Sequence, residues 1–411
     1  MKFTMTAMAL ALASMGMTAT PALAQDAAAQ AAPAYPPVEL SKKGRKALVD
    51  VQAAVNADAE NAAALIAGAE GSMESAGDRY TLGQLKLTHA LKRDDVAAMA
   101  AAADEMRAAN VGDPAIVQDL FVKIGSMYYN AENYQAALGE WEKARAMNPG
   151  HAETMRLMAE AYGQMGNIPQ AMALYRSAIA AQEAGGTLAD ENWYKRAWSI
   201  AYDADHPEVF TMSRSWVEKF PTDANWKQAL AIYHNVGTHS DAVFLDLFRL
   251  RRAANALERS ADYSDYAQLL LGANSPGEAL AVLEQGKAAG LITGESMLQK
   301  ELFDRANAGE RSSGRETLDA DAADAPSRNS ARAAYNIGNA YYGYGQYDKA
   351  AEMYRVALTK SDVNRDVTQL RYGMALAMAG QKDAAQAELA KVGGEFTELA
   401  NYWSLFAKTR K

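Results

Sequence analysis

The chain of 411 residues contains no cysteine. That absence excludes disulfides, thiolate zinc sites, cysteine nucleophiles and lipid attachment through a cysteine. Only 11 prolines are present, which rules out a proline-rich fibre. Histidine is scarce too, and none of His89, His151, His206, His234 and His239 pairs with another at helical i, i+4 spacing. No HExxH motif, Gly-rich phosphate loop or GxSxG elbow occurs, so the familiar hydrolase and nucleotide signatures are missing. His234 and His239 stand either side of a Gly-containing turn and read as exposed or capping residues rather than as a metal pair. No run of alternating Val, Ile and Thr bounded by turn dipeptides marks a strand.

Positive charge is also short. Lysine and arginine number 41 against 50 acidic residues, a formal charge of -9. Nucleic-acid binding needs clustered phosphate contacts, and this balance argues against it. The tight basic clusters of the core are Arg249, Arg251 and Arg252, and Lys42, Lys43, Arg45 and Lys46; each reads as a solvated helix face. Carboxylates are plentiful, but nothing in their spacing singles out a glycosidase pair.

Hydrophobic residues make up 49% of the chain, and roughly a fifth of it is alanine, the best helix former. The expectation is an all-α protein. Long apolar runs are missing after the first segment: the best, Ala242 to Leu250, contains Asp246 and Arg249. The first segment itself has the form of an export signal. Lys2 supplies the positive end, Met8 to Met17 the short apolar stretch, and Ala22 and Ala24 the small residues of a cleavage site between Ala24 and Gln25. The apolar stretch is shorter than the ~18–20 residues that span a bilayer, which weighs against a membrane anchor. The expected order is a signal peptide over 1–24, a flexible Ala/Pro-rich leader over 25–37, a helical array over 38–306, a polar linker or loop over 307–329, and a further helix pair with a capping helix over 330–411.

A period of 34 residues is the strongest pattern. Units starting at Gln118 and Ala152 place Gly125 and Ala159 at position 8, Tyr128 and Tyr162 at 11, Ala137 and Ala171 at 20, Trp141 and Tyr175 at 24, and Ala144 and Ala178 at 27. A unit from Ala331 repeats the pattern with Gly338, Tyr341, Ala350, Tyr354 and Ala357, and one from Asp366 carries Gly373, Gly380, Ala385 and Leu389. Small residues belong where two antiparallel helices approach closely; large ones fill the gaps between them. Weaker units are read from Asp190, with Ala197 at position 8, over Tyr263 to Leu291, and over Asp78 to Asn110, a pair with a tight Arg93-Asp94-Asp95 turn.

These segments, among them GSMYYNAENYQAALGEWEKARAMNP and NIGNAYYGYGQYDKAAEMYRVAL, resemble the tetratricopeptide repeat, and the chain looks like an exported array of Gram-negative proteobacteria. The resemblance implies an α-helical superhelix, a solenoid of helix pairs, with a concave groove that binds a protein or peptide, without catalysis or cofactor. It implies groove positions 2, 5, 9, 12 and 13 on the first helix of each unit. The candidates are Ser126, Tyr129 and Asn130, then Arg156, Glu160 and Gln164, then Tyr335, Asn339 and Tyr342. Tyr128 and Tyr341 fall in the core register, whereas Tyr129 and Tyr342 stand at position 12, where packing does not call for an aromatic. Packing against a neighbouring repeat is the competing role for both. The chaperone-tail-binding branch uses Lys at position 5 with Asn at 9; Asn339 fits, but Tyr335 replaces the lysine and the clamp is not supported.

The expected function is a periplasmic scaffold for a protein or peptide. The alternative is an envelope glycan-binding protein or glycan enzyme on a helical superhelix. Amino-terminal sequencing of the exported product should begin at Gln25; a product beginning at Met1 in the cytosolic fraction refutes the address.

Overall fold

The computed structural model describes residues 35–409, and the cleavage site at Ala24 and Gln25 lies outside them. Every regular element among the described residues is a helix. The described residues form two compact units that divide between Val117 and Gln118. The array expected over 38–306 therefore divides inside its first third, and its later part continues through 307–329 without a break.

The first unit holds α1 (Lys42–Asn56), α2 (Ala62–Ala69), α3 (Ala76–Leu91) and α4 (Val96–Ala109). Leu48, Val51, Val55, Ile66 and Leu82 form its core around α1 and α2. The expected Arg93-Asp94-Asp95 turn is present: Asp94 is left-handed, and the Asp95 carboxylate caps α4 by accepting from the Ala98 N–H. Lys42, Lys43, Arg45 and Lys46 are exposed, as read from the sequence. Asp78 ties the unit together. Its buried carboxylate accepts from the Ser41 N–H at 2.9 Å and hydroxyl at 2.7 Å, and from the N–H groups of Glu74 at 3.0 Å and Ser75 at 2.9 Å. Burial alone would raise its pKa, but these donors hold it down at about 2.

In the second unit the repeat register becomes contact. Its helices begin with α5 (Pro114–Asn130), α6 (Tyr134–Met147), α7 (Ala152–Gln164), α8 (Ile168–Ala184), α9 (Glu191–Asp203), α10 (Glu208–Lys219) and α11 (Asp223–Asn235). They continue with α12 (Asp241–Ala253), α13 (Ser260–Gly272), α14 (Pro276–Ala288) and α15 (Met297–Arg311). The last six are α16 (Leu318–Asp324), α17 (Ala331–Gly343), α18 (Tyr347–Leu358), α19 (Arg365–Met378), α20 (Lys382–Leu389) and α21 (Thr397–Thr409). Position 8 meets position 24 across each pair. A Cβ on Gly125 would stand 2.5 Å from Trp141, one on Gly338 2.9 Å from Tyr354, and one on Gly373 2.5 Å from Leu389. Only a small residue fits there. Ala137, Ala171 and Ala350 are wholly buried at position 20.

The turns repeat as well. Glu132, Gly166, Gly345 and Gly380, all at position 15, have positive φ. The following N–H donates back to the carbonyl of position 11 in each case, from Asn133 to Tyr128, Asn167 to Tyr162, Gln346 to Tyr341 and Gln381 to Leu376. This is the closure expected of a helix that ends on a left-handed residue. The same bond recurs from Ser275 to Leu270 and from His206 to Ala201, so the divergent segments are built alike. It also sets the unit read from Asp190 one residue later, at Glu191.

Unit 2 does not run on as an open stack. α17 packs on α14, and α21 returns to α10 and α12. Tyr402 shares a hydrogen bond with Ser213 at 2.7 Å, Lys408 pairs with Glu218 at 2.6 Å, and Arg214 pairs with Glu398. The ring of Phe406 meets Trp226 edge-on at 5.9 Å. The segment 307–329, expected as a polar linker or loop, is partly helical and carries two anchors. Leu318 and Ala325 enter the same core as Trp226 and Trp403, and the Tyr341 hydroxyl binds Asp319 at 2.7 Å. Its polar composition hid two apolar side chains that were enough to seat it.

Two outcomes follow from this packing. Ala171→Trp should overpack α7 against α8 and lower stability by about 1–3 kcal/mol in denaturant melts, with the loss spreading to adjacent repeats. Asp78→Asn should be destabilising at neutral pH. Because the folded pKa of Asp78 lies below its unfolded value, its contribution is present above about pH 4 and fades as pH falls toward 2. The gap between parent and variant should close over that window.

Candidate interaction surface

Two clusters emerge from the nine candidate groove residues. In the first, on α5, α7 and α9, the expected side chains do come together. Tyr129 is half-buried, its ring edge-on to Tyr134 at 5.3 Å and tilted to Trp141 at 5.9 Å, with its hydroxyl bonded to Gln164. Burial, reinforced by the Glu160 carboxylate, pushes its pKa up. Glu160 pairs with Arg196 at 3.0 Å, lies 3.9 Å from Arg156, and accepts from the Tyr175 hydroxyl. Arg156 in turn holds Glu153 at 2.6 Å and sits over the Trp193 ring at 6.0 Å. Ser126 turns inward and donates to the Val122 carbonyl at 2.9 Å, whereas Asn130 and Gln164 are exposed. Arg196 and Trp193 belong to this strip and escaped the sequence reading, because neither stands at a groove position of its unit, whether it is counted from Asp190 or from Glu191.

The expected contrast between neighbours at positions 11 and 12 is not found. Tyr128 and Tyr129 are both half-buried against the same core. Tyr341 and Tyr342 are both buried.

The second cluster is a correction. Tyr342, expected in an open groove, is 6% exposed. The Arg249 guanidinium lies 4.7 Å above its ring and Tyr347 meets its edge at 5.2 Å. Asn339 is also buried; its Oδ1 accepts from the Tyr354 hydroxyl at 2.8 Å and from Arg371 Nη1 at 3.0 Å. Tyr335 is half-buried, and its hydroxyl accepts from Arg371 Nη1. The physical reason is the return of the chain: α12, α14 and α19 cover the face of α17 that an open array would leave free.

Arg249 and Arg251 do not form the solvated helix face read from the sequence. Arg249 is buried between Asp246 at 2.9 Å and Glu278 at 2.6 Å, and Arg251 pairs with the buried Asp262 at 3.0 Å. Asp246 also holds Arg371 at 3.0 Å, from a helix far along the chain. Burial alone would pull Arg249 down, but the carboxylates of Glu278 and Asp246 more than reverse it and keep the guanidinium charged. Glu278, which burial would raise, is held low by Arg249 and accepts from the Tyr266 hydroxyl at 2.7 Å. Two cations and two anions thus close a neutral, hydrogen-bonded knot linking α12, α14, α17 and α19.

Above part of this knot opens a cavity of about 950 Å³, bounded by α12, α13, α15, α17 and α19. Tyr335 and Asn339 line it; Tyr342 does not. Among the described residues no group of three or more His, Asp or Glu side chains could hold a metal ion. His239 binds the Tyr233 carbonyl at 2.8 Å, and His234 stands between Phe244 and Phe248. No helix among the described residues is long and apolar enough to cross a membrane.

No protein-family model and no curated protein sequence matches the chain. Solved structures similar to it include tetratricopeptide repeat proteins. One is the TPR2AB domain of yeast Sti1 in its pHSP90 complex, with 12% identity and a TM-score of 0.26 over 72% of this chain and 100% of that one. Another is a repeat protein from Parabacteroides merdae, with 12% identity and a TM-score of 0.29 over 72% and 99%. A third is pilF of Pseudomonas aeruginosa, with 12% identity and a TM-score of 0.20 over 72% and 97%.

Replacing Tyr342 by Ala should cost about 3–5 kcal/mol of stability, the usual loss on emptying a buried aromatic site. Tyr129→Ala should cost clearly less, because its side chain is only partly buried. Chemical denaturation of the two variants measures the difference, and equal losses would refute the burial assigned to them.

Proposed function

We propose that this chain is a non-catalytic, exported scaffold of the periplasm that holds a protein or peptide segment on the shared face of α5, α7 and α9. One observation carries the reading. Tyr129 pairs with Gln164 and Glu160 with Arg196, two links that join three successive first helices of repeats along one face, while Asn130 and Gln164 are open to solvent and Arg196 partly so. Residues held in place by their neighbours lose little freedom on binding, which favours affinity. Tyrosine and arginine are also the types most often found at the energetic centre of protein interfaces. The export signature of the first 24 residues supports the compartment.

The test is capture from periplasmic extract with the intact exported protein, read by mass spectrometry. Tyr129→Ala and Arg196→Ala should each weaken capture of the same partner by roughly 30-fold, about 2 kcal/mol, while circular dichroism melts stay close to the parent. Capture unaffected by both changes overturns the assignment of the face. Recovery of peptidoglycan fragments in place of protein overturns the partner class.

A further inference from the structure

We propose that the cavity between α12, α13, α15, α17 and α19 is a binding site for a small organic monoacid with an apolar body. The site is separate from the strip on α5, α7 and α9, and neither reading depends on the other. Its volume, about 950 Å³, falls within the range of small-molecule sites. One wall is apolar, made by Phe244, Phe248 and Leu269.

The polar end is the informative part. Arg371 is 4% exposed, yet it lines the cavity. Its Nε is used by Asp246 and its Nη1 by Tyr335 and Asn339. Nη2 has no hydrogen-bond partner among the described residues. Asn339 shows the same division: Oδ1 accepts from Tyr354 and Arg371, and the amide Nδ2 is unused. The Tyr335 hydroxyl accepts from Arg371 and keeps its own proton to donate. Three side chains with a donor left over, on two helices, therefore line the cavity together, and the acceptors Asn339 Oδ1 and the Tyr335 hydroxyl oxygen are already engaged. A carboxylate supplies what the group lacks, since each of its oxygens accepts and none donates. The opposite charges within the knot balance, so the site gains a charge without repelling it. The exposed lining carries two carboxylates, Asp241 and Asp265, against one guanidinium, Arg305, a net negative rim that disfavours multiply charged anions. The surrounding helices close the space on several sides, which suits a compact molecule rather than a passing chain.

The probe is phenylbutyrate, titrated calorimetrically into the full exported protein, with phenylbutyramide as its uncharged counterpart. Saturable binding of the acid, and weaker binding of the amide by about tenfold or more, are expected. Two variants keep the result interpretable. Gly272 lines the cavity, and a Cβ placed there meets nothing within 4 Å, so Gly272→Phe should plug the space without disturbing the fold. Asn339→Asp keeps the acceptor for Tyr354 and Arg371 but turns the free donor into a negative acceptor. Both should lose the acid; Gly272→Phe should retain the parent melting curve, whereas Asn339→Asp adds a buried charge to the neutral knot and should melt lower while remaining folded. The proposal fails if phenylbutyrate does not saturate the parent, if the amide binds equally well, or if either folded variant binds the acid unchanged. It fails too if a peptide with a free C-terminus saturates the site and the small acid does not.

Discussion

The second unit depends on one buried carboxylate. Asp246, with no exposed surface, faces Arg249 on its own helix and Arg371 on α19, and Trp403 of α21 donates its indole N–H to the Asp246 carbonyl at 3.3 Å. Two helices distant in sequence, α19 and α21, are thereby fixed to one turn of α12. A buried ion pair contributes little over a well-packed apolar substitute, but removing one partner leaves an uncompensated charge and costs about 3–5 kcal/mol. Asp246 therefore acts less as a source of stability than as a specification of which helix meets which. An apolar side chain there would pack, but it would not select Arg371 over another residue of the same size.

That specification separates the two faces a repeat array could offer. Stacked pairs bury their small residues at positions 8 and 20 and leave the outer ends of the first helices free. On α5, α7 and α9 this freedom survives, and the open side chains are polar and tied to one another. On α17 it does not, because the chain returns and seals Tyr342 under Arg249. What remains of that inner face is a bounded cavity with a guanidinium edge at its end. The same repeat positions thus end in two surroundings within one unit, an open polar strip and a bounded cavity, and the two proposed sites rest on that difference.

Much of the local structure was legible in the sequence, and the reason is physical. Gly125, Ala137 and Trp141 report a contact within one helix pair, and a pair is local enough for spacing alone to reveal it. The turns were legible where glycine marks them, at Gly345 and Gly380. They were less so at Asp205 and Asn274, where a polar residue takes the left-handed conformation, and the unit around α9 was read one residue early. The burial of Arg249, Asn339 and Tyr342 could not be read in this way. It depends on a partner 125 residues from Asp246, and a repeat period holds no information about where the array stops being linear. The one hint was Asp246 and Arg249 inside the most apolar run beyond the first segment, Ala242 to Leu250, where opposite charges at i, i+3 make better sense as a buried pair than as a solvated face. Likewise Leu318 and Ala325 were too few to stand out from the acidic segment around them.

The return of α21 onto α10 and α12 is the claim on which the rest stands, and the absence of native cysteine makes it directly measurable. Spin labels at Glu218→Cys and Lys408→Cys report the distance between α10 and α21 by double electron–electron resonance. Closure predicts a single narrow population at short distance, since Lys408 and Glu218 are in contact at 2.6 Å. Neighbouring helix axes in a stack lie about 8–10 Å apart, so an open array would separate these elements by tens of ångströms. A broad distribution at such long distances would contradict the closed unit, and with it the burial of Tyr342 and the cavity beside Arg371.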